Sequence, residues 1–472
     1  MGVNLLDLDA KETYEQIVYG NKTSLELVQT YINHIKIMDK DINALVEERF
    51  AQALEEAKEA DLYLKNNKEA IGPLHGVPIC VKESFHVKGM KTTGGLPHLK
   101  DKVEKEDAEV IKRLKKAGAI ILCKTNSSTL CFAQESVNKL YGRTNNPWDT
   151  NRTAGGSSGG EGALLAIGGA TAGIGSDIGG SIRFPSHLNG VVGFKSGMFQ
   201  VETSGHFPPD SLPLQERMAS IGPMGKSVRD MKLLYNLIAN QQTLPNKVEY
   251  FTVSFLPHEQ PYPISLQTSK MLLEVKTFLS KEFSVEERMP PHFEETALLW
   301  QEIMSINGGE DRKQLAFNNQ RKNLYLTYLK EKLTNNTEWH EYLLWALIGS
   351  SLFKPSHKRI AEINQIIKNG DKLLNDYFKN RLLILPVYKN GTRKHGKIFK
   401  EIFSIKKTFQ QYMPYTAYSN VWGLPSLTLP ITVDEENMPI AIQIISINGN
   451  EDAIFSLGKI LEKQFRGYKR KI

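Results

Sequence analysis

The chain has 472 residues, 40% of them hydrophobic and 24% charged, which supplies a sizeable core and excludes a disordered or low-complexity protein. Its formal net charge of +7 is spread over scattered lysines rather than concentrated in one block, which argues against a nucleic-acid-binding face. Three cysteines, Cys80, Cys123 and Cys131, offer neither a disulfide framework nor zinc-site spacing, and no window reaches the roughly 18 uninterrupted apolar residues of a spanning helix.

In chain order, Met1-Gly2-Val3-Asn4-Leu5-Leu6 has no basic n-region or long apolar run, and a myristoylation site would want Ser or Thr where Leu6 stands. A cytoplasmic location without a stable membrane anchor is the resulting expectation. Thr23-Ser24-Leu25-Glu26 has the form of a capping box and opens a helix with Leu25, Val28, Ile32 and Ile35 on one face. A second helix is predicted over about 44–64. Residues 78–81 and 119–123 read as buried strands joined by a helix over 107–117, which puts Cys80 and Cys123 in the core. A small-residue helix is predicted over 162–172, and later strands over 382–387, 425–431 and 439–445. Alternating helices and strands predict an α/β fold, a mixed central sheet sandwiched between helices.

Residues 241–379 read as mostly helical, with aromatic and apolar clusters at Leu324-Tyr325-Leu326 and Tyr342-Leu343-Leu344-Trp345-Ala346-Leu347-Ile348. Ordinary core packing, the wall of an acyl pocket and an interfacial membrane patch all remain open for this stretch.

Two glycine-dense runs carry the chemistry: Gly155-Gly156-Ser157-Ser158-Gly159-Gly160 and Asp177-Ile178-Gly179-Gly180-Ser181-Ile182-Arg183. Glycine lets the backbone take unusual geometry and lets a substrate approach the main chain. A serine in such a loop can be an exposed nucleophile with neighbouring N–H groups free to bind an oxyanion. Upstream stands Lys82, in Pro78-Ile79-Cys80-Val81-Lys82-Glu83-Ser84-Phe85. A serine hydroxyl needs a positioned base, and lysine can serve only when neutral, which burial beside Val77, Ile79 and Val81 would promote.

Other motifs fail. Gly225-Lys226-Ser227 imitates a phosphate loop but Ser220 stands where its first glycine belongs, and Gly173-Ile174-Gly175 has Ile178 in place of the third dinucleotide-loop glycine. The histidines form no HExxH or similar cluster, so neither a metal nor a cofactor is expected. His187, the histidine closest to the second serine loop, reads as structural.

These segments resemble the amidase signature family. The likeness runs from Pro73-Leu74-His75-Gly76-Val77-Pro78 to Gly193-Phe194-Lys195, and resumes at Asn420-Val421-Trp422-Gly423-Leu424-Pro425-Ser426 and Pro439-Ile440-Ala441-Ile442-Gln443-Ile444. Lys82-Glu83-Ser84-Phe85, Gly159-Gly160-Glu161-Gly162-Ala163-Leu164, Phe184-Pro185-Ser186 and Gly205-His206-Phe207-Pro208 look most like its fatty-acid amide hydrolase branch. The resemblance implies that Ser181 is the nucleophile, Ser157 a bridging serine and Lys82 the base. It also implies an oxyanion hole from the N–H groups of Ile178, Gly179, Gly180 and Ser181, and a cis peptide entering Ser157. Cys131 follows a loop whose family equivalent borders the acyl channel, which leaves lining substrate and mere packing both open for it, and Gly156 and Ser158 are expected with it as substrate-binding. Asp177 and Arg183 are expected to pair and brace the second loop.

The implied organisation is a single domain: N-terminal helices over 1–70, a signature core over 71–240, a variable substrate wall over 241–379 and the rest of the core over 380–472. The implied activity is cleavage of lipophilic or aryl amides through an acyl-enzyme. The alternative is a glutamine-hydrolysing amidotransferase component beside a tRNA-binding partner. Asn146-Pro147-Trp148-Asp149 is shared with that branch, whereas Lys82-Glu83 departs from its usual Lys-Asp, and Lys195-Ser196-Gly197 departs from the family's common Lys-Pro-Thr. A small amide is the expected partner, with no nucleic acid, and a homodimer stays open.

Overall fold

Apolar runs rich in Val, Ile and Leu, punctuated by Gly and Pro, form the strands of one eleven-stranded mixed sheet. The computed structural model describes residues 4–471 apart from 211, 260, 405–410 and 412; the first three residues, part of the N-terminal targeting reading, lie outside the described residues. In chain order the strands are β1 (Leu45–Glu48), β2 (Pro78–Lys82), β3 (Ile120–Thr125), β4 (Ala172–Asp177), β5 (Val192–Lys195), β6 (Ser220–Gly225), β7 (Thr252–Phe255), β8 (Val285–Glu287), β9 (Arg381–Pro386), β10 (Ser426–Val433) and β11 (Pro439–Ile445). They lie side by side as β1-β3-β2-β4-β6-β5-β10-β11-β9-β7-β8.

Pairing explains where the site forms. β2 runs parallel to both β3 and β4, with Val81 opposite Ile174. Parallel neighbours end at the same edge of a sheet, so Lys82 at the end of β2 emerges beside Ser176 and Asp177 at the end of β4. β6 returns antiparallel, with Ser220 opposite Asp177.

Helices cover both faces. On one, helices Val228–Ile238 and Glu451–Gln464 bury Met231, Leu234, Ile454 and Leu461 against the strands, and the Phe194 ring meets Tyr235 and Phe455 at centroid distances of 4.9 and 4.6 Å. On the other, helices Ser24–Met38, Phe50–Asn67 and Gly159–Ala166 pack Val28, Ile32, Ala53 and Leu164 around Cys80 and Cys123. Burial of each such aliphatic side chain contributes about 1.5–3 kcal/mol. The predicted capping box is present: Glu26 N–H donates to Thr23 Oγ1 (3.1 Å) and Thr23 N–H to Glu26 Oε2 (2.9 Å).

Two predicted elements differ. The helix expected over 44–64 begins at Phe50, because Leu45–Glu48 instead pairs antiparallel with β3 as an edge strand. The small-residue run expected as one helix over 162–172 is split. Its helix is Gly159–Ala166, Gly168 turns the chain at φ +80°, and Ala172 opens β4. The stretch 241–379 is mostly helical, as expected, and also contributes β7 and β8, which extend the far edge of the sheet in parallel with β9. Among the described residues no helix is long and apolar enough to cross a membrane.

Candidate active site

Lys82 is completely buried, and its Nζ lies 2.7 Å from Ser157 Oγ and 2.9 Å from Ser176 Oγ. Ser157 is presented by the glycine loop that leads into helix Gly159–Ala166, after a cis Gly156–Ser157 peptide. Ser136 clamps that loop: its hydroxyl donates to Ser157 O (3.0 Å) and accepts from Gly159 N–H (2.9 Å). Behind β2, the Glu161 carboxyl contacts Cys80 Sγ (3.1 Å) and Thr125 Oγ1 (2.5 Å), and burial pushes it up to about 7.

The second serine loop leaves β4 and is held by the predicted ion pair. Arg183 Nη2 meets Asp177 Oδ1 at 2.9 Å and Arg183 Nε meets Oδ2 at 3.0 Å, with both side chains wholly buried. Arg183 also donates to Thr416 O (2.7 Å), Asn420 Oδ1 (2.6 Å) and Gln443 Oε1 (3.1 Å), which anchors the loop to helix Pro414–Val421 and to β11. Burial alone would raise the Asp177 carboxyl. The Arg183 guanidinium overrides it and holds the group well below the usual carboxylate range.

Asp177 further accepts from Gly180 N–H (2.8 Å) and Ile182 N–H (3.0 Å). The Gly180 N–H, expected as an oxyanion donor, is thus engaged by Asp177. Gly180 itself has φ +98°, a left-handed conformation that glycine takes without strain. Two side chains hold the loop from outside: Trp300 Nε1–H donates to Ile178 O (2.8 Å) and Gln134 Nε2–H to Gly179 O (3.1 Å). Across a trans peptide the N–H points opposite to the C=O. Holding Ile178 O therefore turns the Gly179 N–H away from Trp300.

Ser181 is 4% exposed and stands where two cavities meet, together with Ile178 and Cys131. One arm is apolar, walled by Trp300, Met304, Trp345, Ile348, Leu352 and Phe403, mostly from the 241–379 stretch. The other is polar and contains Ser157, Ser176, His206 and the ion-paired Asp210 and Arg312. Gly156 and Ser158, expected to touch substrate, line neither arm. A side chain at Gly156 would strike the backbone of Ala133 and Glu135, and Ser158 N–H donates to Ser181 O (3.2 Å), tying the two serine loops together. Among the described residues the Ser157 and Ser181 hydroxyls make no direct hydrogen bond with each other.

Sequence reading overlooked Ser176, His206, Gln134 and Trp300. Ser176 directly precedes Asp177 on β4, and its position at a strand end was an available signal. Gln134 and Trp300 lie 45 and 122 positions from their partners, with no local pattern to mark them, whereas His206 stands in the Gly205-His206-Phe207-Pro208 run, which was read only as a mark of resemblance. His187 does sit in a structural role: its Nε2 meets Asn390 O at 2.9 Å and its Nδ1 accepts from Ala441 N–H at 2.9 Å.

The family model described as Amidase matches residues 26–455. The chain belongs to the amidase family. This amidase is therefore an amide-hydrolysing enzyme. It is similar to fatty-acid amide hydrolase 2-A of Danio rerio, 31% identical over 487 aligned positions that cover 98% of this chain and 90% of that protein. It is also similar to fatty-acid amide hydrolase 2 of Homo sapiens, 30% identical across 94% of this chain and 86% of that one. The glutamyl-tRNA(Gln) amidotransferase branch is represented by a protein of Clostridium acetobutylicum, 28% identical across 98% of this chain and 100% of that protein. The solved structure of 6-aminohexanoate cyclic dimer hydrolase complexed with substrate superposes with a TM-score of 0.82 at 21% identity, over 99% of each chain, which shows the shared fold.

Proposed function

We propose that this amidase hydrolyses lipophilic acyl or aryl amides through an acyl-enzyme on Ser181, with Ser157 and Lys82 moving the proton. The observation that carries the reading is the 2.7 Å contact between Lys82 Nζ and Ser157 Oγ in a cavity that Ser157 shares with Ser181. Ser181 Oγ attacks the amide carbonyl while its proton passes to Ser157 and the Ser157 proton to Lys82. Catalytic hydrogen bonds often close only around bound substrate, and the Ser157–Ser181 step is of this kind. The N–H groups of Ile178, Gly179 and Ser181 receive the developing oxyanion. The proton returns from Lys82 through Ser157 to the leaving nitrogen, because an amine anion is a very poor leaving group. Water then attacks the ester and releases acid and free Ser181.

The apolar arm supports the acyl side of this assignment, and so does the likeness to a protein named fatty-acid amide hydrolase 2-A. The deciding experiment is kcat/KM across primary amides and anilides from acetyl to long-chain acyl, with glutamine included. A rise with acyl length is expected. Activity confined to short amides overturns the lipophilic assignment and keeps the chemistry, whereas a response to glutamine alone moves the enzyme to the amidotransferase reading.

Lys82→Ala is expected to lower amide turnover by about 10²–10⁴-fold and ester turnover by less, since an ester leaving group needs less protonation. Matched amide and ester substrates of one acyl chain measure the difference, and equal losses would remove the proton-return role.

A further inference from the structure

The polar arm contains one imidazole that the mechanism above does not use. His206 is carried on a loop laced to the turn that follows Lys82. Phe207 N–H donates to Ser84 O (2.7 Å), His86 N–H donates to Gly205 O (2.8 Å), and the His206 ring packs edge-on against Phe85 with centroids 5.1 Å apart. Its Nε2 lies 2.9 Å from Ser176 Oγ, which in turn lies 2.9 Å from Lys82 Nζ.

We propose that His206 is a positioning residue for Lys82: by accepting the Ser176 hydroxyl proton at Nε2, it makes Ser176 Oγ an acceptor for a Lys82 N–H and leaves the amine lone pair aimed at Ser157. This rests on the assignment of Lys82 as the base, and the test below separates the two.

Counting hydrogens gives the direction. A neutral amine has two N–H groups and one lone pair. To take the Ser157 proton it must present the lone pair to Ser157, so its contact with Ser176 has to be one in which Lys82 donates. Ser176 has a single O–H, and with an N–H arriving from Lys82 that O–H is directed at its next partner, His206 Nε2. The opposite tautomer, with Nε2–H donating, would turn the Ser176 O–H back onto the Lys82 lone pair and compete with Ser157 for it.

With Nε2 accepting the Ser176 proton, the proton of the neutral ring belongs on Nδ1 and Nε2 keeps its lone pair. The surroundings keep the ring neutral. Burial pushes His206 down, and Asp210 is already paired with Arg312.

The test is a double-mutant cycle on an amide substrate, with melting temperatures measured alongside. His206→Phe removes the acceptor and is expected to lower kcat by about 10–100-fold, the usual effect of losing a group that orients a reacting one, with little change in KM. In a Ser176→Ala background the same substitution should cost nothing further, because Ser176 is the link through which His206 acts. His206→Gln, whose Oε1 can accept the same proton, should recover most of the rate. Additive losses in the cycle, a Gln variant no better than Phe, or a Phe variant at the wild-type rate would each overturn the proposal. Should His206→Phe melt early, His206→Asn, too short to reach Ser176, replaces it in the cycle. Wild-type turnover in His206→Phe with Lys82→Ala and Ser181→Ala inactive sinks this inference alone; turnover retained by Ser181→Ala or Lys82→Ala removes the reading beneath it.

Discussion

Ser181→Ala is expected to abolish amide turnover, with a loss on the order of 10⁶ in kcat if Ser181 behaves as serine nucleophiles generally do. Melting temperature should stay near that of the wild type. The substitution deletes one oxygen at the junction of two cavities, and among the described residues that oxygen makes no hydrogen bond whose loss would leave a buried partner unsatisfied. The backbone contact that ties the two serine loops, Ser158 N–H to Ser181 O at 3.2 Å, is untouched. Covalent labelling by a fluorophosphonate, read as a mass increase, should appear in the wild type and vanish in the variant. Turnover within tenfold of the wild type would remove Ser181 as the nucleophile and with it the acyl-enzyme.

The largest stability effect is expected at Arg183. Arg183→Ala strands the Asp177 carboxylate in a fully buried site, and breaking a buried pair by deleting one partner typically costs about 3–5 kcal/mol. The pH dependence has a definite sign. Pairing depresses the folded-state pKa of Asp177, so its contribution is fully present above the unfolded carboxyl value, near about 4, and fades as pH falls below it. The stability gap between wild type and Arg183→Ala should therefore be widest above about pH 5 and shrink in acid, where a protonated Asp177 no longer needs the guanidinium. Urea unfolding at several pH values measures it. A gap below about 1 kcal/mol, the scale of an exposed ion pair, would mean that the pair does not brace the loop. Activity should fall as well, since Asp177 orders the Gly180 and Ile182 N–H groups on either side of Ser181.

Particular residues show how much was legible in the chain. The Asp177–Arg183 pair could be read because the partners are six positions apart across a glycine loop whose compactness brings them together. The short apolar runs of β2, β3, β9, β10 and β11 could be read because burial on both faces leaves an unbroken hydrophobic string. Leu45–Glu48 could not, since an edge strand is defined by its partner and its composition also suits a helix. The same holds for β7, which became a strand because β9 offered it an edge, and for β8, which in turn pairs with β7.

The site divides along the same line. By itself the sequence determined the groups proposed to react, Lys82, Ser157 and Ser181, and that they would sit on strand ends and glycine loops. Those properties depend on residue type and on near neighbours. Only the tertiary structure decided what surrounds them: that Trp300 and Gln134 grip the Ile178 and Gly179 carbonyls, and that Ser176 and His206 stand behind Lys82. The reason is directional. A hydrogen bond acts over about 3 Å and within a narrow cone, so partners far apart in the chain are chosen by where strands and loops finally lie, and no local pattern records the choice.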